Sequence, residues 1–432
     1  MTIYQADWLC PVSSSPVRLG CMAVENGRIV SLPDRCPPDV VFAGCAIIPG
    51  FVNAHSHLEL TILRGFLDDL PFATWIPRLT RAKYEVLSSA EMLLSSRLGC
   101  IEMLRAGVTC LGEVMDIGAA WEAMHEFGLQ GIAFQEVFGP AEDQADNALR
   151  GLKERLAKYR RNETETLRVG VSPHAPYTVS AKLYRSVNEF SRVEDLRLAT
   201  HIAESRDEGT FVRFGSGVFA DRWRERGIST PPGGCSPLAY IAEFGLLRPG
   251  TLLIHAIDLE ESDFRLLEAT RSAVVHCPKS NAKLAHGSAR VEEMLDGGVM
   301  VGLGTDSVAS NNVVDMFEEM RAAIFQQRVR NGAVGSLDAK RAFRMATLGG
   351  AECLGMAEHL GTLDPGKRAD FVVVDLNDPA VQPVYDPIDA MVYSASRHNV
   401  RATFIGGREV KIDPSQFLRD CAAVSERLKA AV

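Results

Sequence analysis

Eight short apolar runs, each followed by a longer amphipathic segment, constrain the fold of this chain most strongly. The first is AIIPGFVNAH at residues 46–55 and the last is VMVGLGTDS at residues 299–307; between them lie GVTCLGEV, GIAFQEV, LRVGVSPHAP, LRLATHIAES, GTLLIHA and SAVVHCP. Helix-like segments such as SSAEMLLSSRLGCIEMLRAG separate the runs. Strands that alternate with helices form parallel sheets, and eight such units close into a barrel. The sequence therefore predicts an α/β fold with a (β/α)8 TIM-type barrel.

Strand-like pieces at both ends of the chain predict a second, smaller module. MTIYQADWL and CMAVENGRIV near the start, and GTLDPGKRADFVVVDLN and RATFIGGREVKI near the end, are interrupted by Asn-Gly, Gly-Gly and Pro turn signals. We expect residues 1–48 and 363–415 to form one small β-sandwich domain and residues 49–362 to form the barrel. Residues 416–432 are expected to form a C-terminal helix.

Composition and charge exclude several classes of protein. The chain has 432 residues, of which 23% are charged and 46% hydrophobic, as in ordinary globular proteins. Its net charge of −9 argues against nucleic acid or an anionic membrane as a partner. No apolar run approaches the roughly 20 residues that span a bilayer, and we see no signal peptide. The ten cysteines never form C-x-x-C, so we expect mostly buried free thiols and a cytoplasmic enzyme.

Histidines gather at the ends of the predicted strands. His55 and His57 end the first run, and because side chains of a strand alternate between its faces, both point to one side. The later runs end in His174, in His201 followed by Glu204, in His255, in His276 and in Asp306. The active site of a β/α barrel lies at the C-terminal ends of its strands, so we expect these side chains at one rim. Imidazole and carboxylate bind divalent metals, and the pattern predicts a metal site.

Two other features of the histidine pattern have simpler explanations. His125, His286, His359 and His398 fall on predicted helices or loops, where structural roles are expected. The segment HLE at residues 57–59 matches the H-x-E half of the cytidine-type zinc deaminase motif, but the chain contains no P-C-x-x-C half. That deaminase design is therefore excluded.

The H-x-H after strand one, the histidines after strands five and six and the aspartate after strand eight together resemble the amidohydrolase superfamily. The resemblance covers nearly the whole chain, including GTLDPGKRADFVVVD. Binuclear members carry a carboxylated lysine at the end of strand four, whereas LRVGVSPHAPYT contains no lysine, so the site is similar to the mononuclear branch. The resemblance implies one divalent metal, Zn²⁺ first and Fe²⁺ as the alternative, bound by His55, His57, His201 and Asp306.

The same resemblance implies a role for each polar residue around the metal. A metal lowers the pKa of bound water, so that hydroxide attacks C6 of a purine and ammonia leaves. Asp306 would accept the proton of that water and His255 would orient it. Glu204 would protonate a ring nitrogen, unless it only forms a surface salt bridge with Arg206. We expect His174 and His276 to face the substrate, Phe72 and Trp75 to form an apolar wall, Asn281 to shape the loop after strand seven and Arg64 to fix the loop after strand one.

Two sets of motifs resemble different deaminases within that branch. SPHAPYTVS, HIAES and GTDSVASNN are similar to enzymes of S-adenosylhomocysteine and 5′-methylthioadenosine. Where that group has a ribose-binding glutamate, counted from Trp75, this chain has Tyr84 followed by Glu85, and we expect both to bind substrate. Its substrate-binding arginine has no counterpart in QEVFGPAEDQADN. NAHSHLELTILRG and the long insertion after strand five resemble aminodeoxyfutalosine deaminases more closely, and Arg213 or Arg222 of the insertion is expected to meet a substrate carboxylate.

The leading expectation is therefore a metal-dependent aminodeoxyfutalosine deaminase of menaquinone biosynthesis, active on a small molecule and forming a homodimer. A deaminase of S-adenosylhomocysteine, methylthioadenosine or adenosine is the first alternative. A triazine-type chlorohydrolase or another amidohydrolase would use the same metal ligands, and a catalytically silent homologue would keep only the fold.

Overall fold

Sixteen strands in the described residues, 1–33 and 37–431 of this computed structural model, form two sheets. The first sheet contains β1 (Thr2–Leu9), β2 (Val17–Arg18), β3 (Cys21–Glu25), β4 (Arg28–Ser31), β5 (Val40–Pro49), β14 (Phe371–Asp375), β15 (Val400–Ile405) and β16 (Arg408–Glu409). The second contains β6 (Phe51–Ser56), β7 (Val108–Met115), β8 (Gln130–Val137), β9 (Leu167–Pro173), β10 (Leu198–Ile202), β11 (Thr251–His255), β12 (Ala273–His276) and β13 (Val301–Leu303).

Helices fill the connections between the barrel strands and close the chain. Their bounds are α1 Phe72–Arg81, α2 Ser89–Arg105, α3 Ala119–Phe127, α4 Ala145–Arg160, α5 Ala181–Val193, α6 Arg206–Phe214, α7 Val218–Glu225, α8 Pro237–Ala242, α9 Glu261–Thr270, α10 Pro278–Lys283, α11 Val291–Asp296, α12 Val308–Asn311, α13 Met316–Asn331, α14 Ala339–Arg344, α15 Gly350–Cys353, α16 Pro387–Ser394 and α17 Ser415–Ala431. Single turns of 3-10 helix lie at Leu58–Leu63, Glu142–Gln144 and Arg397–Asn399, and π-helical turns at Ala82–Val86 and Met345–Gly349.

The second sheet is the predicted eight-stranded parallel barrel. Its strands follow one another in chain order from β6 to β13, and each of the eight predicted runs supplies one of them. A parallel bridge between Ser56 and Asp306 joins the last strand to the first, and the Asp306 N–H donates to the His55 carbonyl at 3.0 Å. The Asn53 side chain accepts the Thr305 N–H at 2.9 Å beside it. The fold class predicted from the sequence is confirmed, and the closure brings strand ends one and eight together.

The first sheet is built from both chain ends, as predicted. Strand β5 pairs with β1 in parallel and with β14 antiparallel, so that the hydrogen bonds join all eight strands into one mixed sheet. Tyr4, Phe371 and Phe404 pack in its core, the last two stacked with centroids 4.2 Å apart. The predicted Asn-Gly hairpin connects β3 to β4, with φ of 50° at Asn26 and 76° at Gly27. Both values lie in the left-handed region that this turn requires.

Local capping explains where the longer helices begin. Ser88 and Glu91 form a reciprocal capping box at the start of α2, in which the Glu91 carboxylate accepts the Ser88 N–H at 2.8 Å. The side chain of Asp315 caps α13 by accepting the Phe317 N–H at 2.9 Å. Such caps satisfy backbone donors that a helix cannot satisfy itself, so they fix the ends of helices whose apolar faces pack on the barrel.

Two further expectations concern cysteines and membranes. Cys10, Cys45, Cys100, Cys110, Cys277 and Cys353 are buried free thiols, as predicted. Cys36, and Val432 at the end of the predicted C-terminal helix, lie outside the described residues. Within the described ranges, no helix combines the length and the apolar character that crossing a membrane requires.

Candidate metal centre

Three histidines and one aspartate converge at the C-terminal rim of the barrel. His55 and His57 come from the end of β6, His201 from β10, and Asp306 from the turn after β13. The Oδ1 atom of Asp306 lies 3.4 Å from Nε2 of His55 and 3.7 Å from Nε2 of His57. One ring nitrogen each of His55, His57 and His201 lies within 4.8 Å of the others. These are the four ligands that the sequence predicted, and the fold brings them together.

The protonation states of these side chains suit a metal ion. Both ring nitrogens of His55 are buried without a hydrogen-bond partner in the described structure, an arrangement that costs free energy unless another group binds them. Burial holds the pKa of His55, His57 and His201 below the ordinary histidine value, so their nitrogens keep free lone pairs. Burial opposes ionisation of Asp306, but His55, His255 and His57 together hold its pKa well below the usual range. Three neutral imidazoles and one carboxylate fit a divalent cation such as Zn²⁺.

Neighbouring groups orient the proposed ligands. The second oxygen of Asp306, Oδ2, accepts the Ser280 hydroxyl at 2.5 Å and the Ser310 hydroxyl at 3.1 Å, which leaves Oδ1 toward the histidines. Nδ1 of His201 lies 3.3 Å from the carbonyl of His174, so Nε2 of His201 is free for a metal. Contacts of this kind fix the tautomer and direction of metal-binding side chains.

Glu204 lies beside the predicted ligands and faces two histidines. Its Oε1 atom is 3.6 Å from Nε2 of His255 and 3.6 Å from Nε2 of His286, and its Oε2 atom accepts the Tyr177 hydroxyl at 3.3 Å. The carboxylate of Glu208 accepts the Glu204 N–H at 2.9 Å and so holds the backbone of this turn. Glu204 is buried, and no ion pair with Arg206 is present among the described residues.

His174 and His276, the two histidines expected to face the substrate, occupy different surroundings. The His174 ring lies 4.9 Å from that of His201, and its Nδ1 is 2.7 Å from the Thr178 hydroxyl. Its Nε2 is 3.8 Å from Oε1 of Glu136. His276 is fully buried, and neither ring nitrogen has a hydrogen-bond partner within the described ranges. Burial lowers the pKa of both rings to about 3.

Glu136 is a buried carboxylate at the end of β8 that the sequence analysis did not single out. It is 3% exposed, and Oε1 has no hydrogen-bond partner in the described part of the chain. Burial raises its pKa to about 8, against the lowering effect of Lys83. A polar residue at the end of an apolar run was the signal that identified the histidines, and the same signal was present in GIAFQEV.

The segment after α1 places Lys83 inward, whereas Tyr84 and Glu85 lie farther out. Nζ of Lys83 is 2.9 Å from Oδ2 of Asp116, and both side chains are 12% exposed. The Tyr84 hydroxyl donates to the same carboxylate, but the residue is 54% exposed. Glu85 is 68% exposed and pairs with Arg81 at 3.3 Å. Of the two substrate residues expected here, Tyr84 touches the buried cluster and Glu85 faces the surface.

Aromatic side chains from α1 and from α7 pack beside two of the side chains that contact Glu204, those of His286 and Tyr177. Phe72 stacks on Trp75 with centroids 6.1 Å apart and meets the His286 ring edge-on at 4.6 Å. Phe219 lies on α7 of the insertion after β10 and stacks on Tyr177 at 4.1 Å. Phe72 and Trp75, which we expected to form an apolar wall, thus lie in an aromatic group with Phe219 and Tyr177, two residues that we did not select from the sequence.

Arg213 and Arg222, the two arginines expected to meet a substrate carboxylate, have different partners. Arg213 binds the Asp258 carboxylate at 2.7 Å and the Glu260 carboxylate at 2.6 Å. Arg222 donates to the Ala73 carbonyl at 2.7 Å and thereby ties the insertion to α1. Within the described residues Arg213 is therefore neutralised by two carboxylates, whereas Arg222 forms no ion pair.

Known proteins resemble this chain over almost its whole length. Residues 46–410 match the Amidohydrolase family. The chain is 33% identical over 441 residues to a 5-methylthioadenosine/S-adenosylhomocysteine deaminase of Desulforudis audaxviator (strain MP104C), covering 98% of each chain. It is 35% identical over 412 residues to the enzyme of the same name from Nitratidesulfovibrio vulgaris (strain DSM 19637 / Miyazaki F), covering 93% of this chain and 89% of that one.

Solved structures of metal-dependent hydrolases are also similar to this chain over almost its whole length. An adenosine deaminase from Xanthomonas campestris with bound zinc superimposes with a TM-score of 0.87 and 27% identity, over 99% of this chain and 98% of that one. The atrazine chlorohydrolase of Arthrobacter aurescens TC1, complexed with zinc, gives 0.84 and 20% identity over 98% and 100%, which supports the fold alone. The family and enzyme class predicted from the sequence are confirmed: the chain belongs to the amidohydrolase family and is a hydrolytic enzyme of its deaminase type.

Proposed function

We propose that this enzyme removes the amino group of an adenine nucleoside by hydrolysis. The observation that carries the proposal is the position of Glu204, a buried carboxylate next to the three-histidine and aspartate cluster but not part of it. A separate acid beside a metal site can protonate a ring nitrogen, which makes the neighbouring carbon more electrophilic. The names of the 33–35% identical relatives and of the adenosine deaminase structure support a nucleoside as the substrate.

The proposed reaction assigns one task to each polar side chain. A bound divalent metal would supply Lewis acid chemistry and lower the pKa of water at the site. Oδ1 of Asp306 accepts the proton that the attacking water loses. Nε2 of His255 hydrogen-bonds that water and fixes its direction. The Glu204 carboxyl gives a proton to N1 of the purine and later hands one to the departing amino nitrogen, while the Tyr177 hydroxyl holds its Oε2 atom.

Aminodeoxyfutalosine is our first candidate for the exact substrate, and S-adenosylhomocysteine, methylthioadenosine and adenosine are the alternatives. The insertion between β10 and β11 supports a long substrate, since Phe219 on its helix α7 stacks on Tyr177, whose hydroxyl donates to Glu204. The curated relatives favour the alternatives by name. Arg213 is already paired with Asp258 and Glu260, which a substrate carboxylate would have to displace. Arg222 donates one hydrogen bond to the Ala73 carbonyl and forms no ion pair among the described residues.

A substrate panel tests the proposal directly. Metal-replete enzyme is incubated with the four adenine nucleosides, with atrazine and with a pterin, and ammonia and chloride are both measured. Ammonia release from a nucleoside, lost in Glu204→Gln, supports a nucleoside deaminase, and the highest kcat/KM identifies the substrate. Chloride release from atrazine with no ammonia from any nucleoside would replace the proposal by a chlorohydrolase.

We further propose a cytoplasmic homodimer that acts on small molecules and not on nucleic acid. The buried free thiols Cys10, Cys100 and Cys110 support a reducing compartment. Size-exclusion chromatography with light scattering decides between one and two chains per particle.

A further inference from the structure

His286 is poised to act on the proposed general acid. Building on the proposed deamination, we propose that His286 is a positioning residue that holds the Glu204 carboxyl and returns a solvent proton to it in each turnover. From the sequence we expected a structural role for His286, because it does not lie at the end of a predicted strand. In the structure it lies on the loop after α10.

The contacts of His286 point toward Glu204. Its Nε2 atom is 3.6 Å from Oε1 of Glu204, the same separation as that of His255. The His286 side chain is 5% exposed, and its buried Nε2 atom has no hydrogen-bond partner in the described residues. Phe72 meets the ring edge-on, with centroids 4.6 Å apart at 86°, and leaves the nitrogen edge toward the carboxylate. A buried nitrogen without a hydrogen-bond partner costs free energy, and the Glu204 carboxylate is the acidic group that lies beside this one.

The backbone around His286 is built to hold the ring there. Asn281 serves both histidines of the pair: its Oδ1 lies 2.9 Å from Nδ1 of His255, and its carbonyl accepts the His286 N–H at 2.9 Å. Ala285 and Gly287 on either side have φ of 56° and 107°. A positive φ at alanine costs free energy, which a structure retains where the local direction of the chain matters.

The proton balance of deamination shows what the contact between His286 and Glu204 can contribute. Deamination forms the C6–O bond and breaks the C6–N bond, and the attacking water loses two protons, one to N1 and one to the leaving nitrogen. When that nitrogen departs as ammonium, its last proton comes from solvent. The neighbours of His286, Ala285 and Gly287, are exposed, so a proton from bulk water can reach the ring and pass through Nε2 to Oε1 of Glu204.

Several titratable groups surround the His286 ring. Burial lowers the pKa of His286, and His255 lowers it further, while Glu204, Asp306 and Asp207 raise it. Replacing the His286 ring therefore changes both the position of the Glu204 carboxyl and the supply of protons to it. The pH dependence of kcat distinguishes these effects from a simple loss of packing, which would leave that dependence unchanged.

The experiment compares His286→Ala and His286→Asn with wild type and with His398→Ala, a surface histidine as control. We expect kcat with the best nucleoside to fall about 10- to 100-fold in both His286 variants, with bound metal and thermal midpoint near wild type. Added imidazole should restore much of the activity of His286→Ala but leave His398→Ala unchanged, and the pH dependence of kcat should shift.

Two results would overturn the inference. A His286→Ala enzyme with wild-type kcat and pH profile removes any role for the ring, and a loss of activity that imidazole does not restore, with an unchanged pH profile, reduces it to packing. If wild-type enzyme releases ammonia from no nucleoside, the proposed function falls and the inference falls with it. Wild-type activity with an indifferent His286→Ala variant, by contrast, removes the inference alone.

Discussion

Oδ1 of Asn281 lies 2.9 Å from Nδ1 of His255, and this contact decides which face of the imidazole meets Glu204. An amide oxygen can only accept, so Nδ1 of His255 is the donor in this contact and the Nε2 edge of the ring faces Glu204. Nε2 is the atom 3.6 Å from Oε1 of Glu204. Asn281 on α10, which follows β12, thus fixes the ring of His255 at the end of β11.

Replacing Asn281 should damage catalysis without removing the metal. We expect Asn281→Leu to lower kcat about 10- to 100-fold because His255 can then adopt the other tautomer and rotate. Asn281→Asp keeps an acceptor at the same place and should retain more activity. Steady-state kinetics and metal analysis check this, and equal kcat in all three enzymes would show that the contact has no catalytic role.

Glu204→Gln should abolish most turnover while leaving the structure intact. The amide is nearly the same size but cannot give a proton to the substrate, so we expect kcat to fall about 10²- to 10⁴-fold. Glu225→Gln, on the exposed end of α7, serves as the matched control. A Glu204→Gln enzyme that keeps a tenth or more of the wild-type kcat would mean that another group supplies the proton.

The strand-end residues could be predicted from the sequence because two simple rules determine them. Side chains alternate along a strand, and parallel strand ends meet at one rim, so His55, His57, His201 and Asp306 had to converge once the eight runs were recognised. Loop residues follow no such period. His286 depends on the positive φ of Ala285 and on a hydrogen bond to Asn281, and neither can be read from composition or spacing.

The segment after Trp75 shows which side-chain directions counting along the sequence does not give. Counting from Trp75 to the position of the resembled group's ribose-binding glutamate led to the expectation that Tyr84 and Glu85 bind substrate. Residues Ala82–Val86 instead form a π-helical turn, which has more residues per turn than an α-helix and changes the direction of each side chain. Lys83 therefore takes the buried position, 2.9 Å from Asp116, and Glu85 turns to the surface.

Metal removal should affect both activity and stability. We expect one divalent ion per chain in purified enzyme, loss of activity on prolonged chelation and recovery on adding Zn²⁺. Because the ion binds the folded state, its removal should also lower the thermal midpoint. His57→Ala should bind less metal and show the low midpoint from the start. Full activity in enzyme that elemental analysis shows to be free of metal would contradict the proposed centre.

Glu136→Gln tests whether the buried carboxylate at the end of β8 binds substrate. Its Oε1 has no hydrogen-bond partner in the described residues, so a donor on the substrate is the natural occupant. We expect KM to rise about tenfold with kcat changed less than threefold, the pattern of lost ground-state binding. Glu142→Gln, on the exposed turn nearby, is the control. An unchanged KM would remove Glu136 from the substrate site.

The contacts of Glu59 lead to a prediction about the stability of the fold and not about the catalysed reaction. Its Oε1 atom accepts the N–H groups of Gly118 and Ala119 at 2.8 and 2.9 Å, and Oε2 accepts those of Asp116 and Ile117 at 2.9 and 3.1 Å. The carboxylate thus ties the loop after strand one to the N-terminus of α3. Glutamine would turn an NH₂ group toward two of these donors and remove the charge that favours a helix N-terminus.

We expect Glu59→Gln to lower the free energy of unfolding by roughly 2–4 kcal/mol, since hydrogen bonds to charged groups contribute most and the Ala119 N–H stays buried. Thermal and urea denaturation measure the change, and Glu122→Gln, an exposed carboxylate in the first turn of α3, controls for removing a negative charge near the N-terminus of that helix. A midpoint equal to that of Glu122→Gln would show that the loop is held by other contacts.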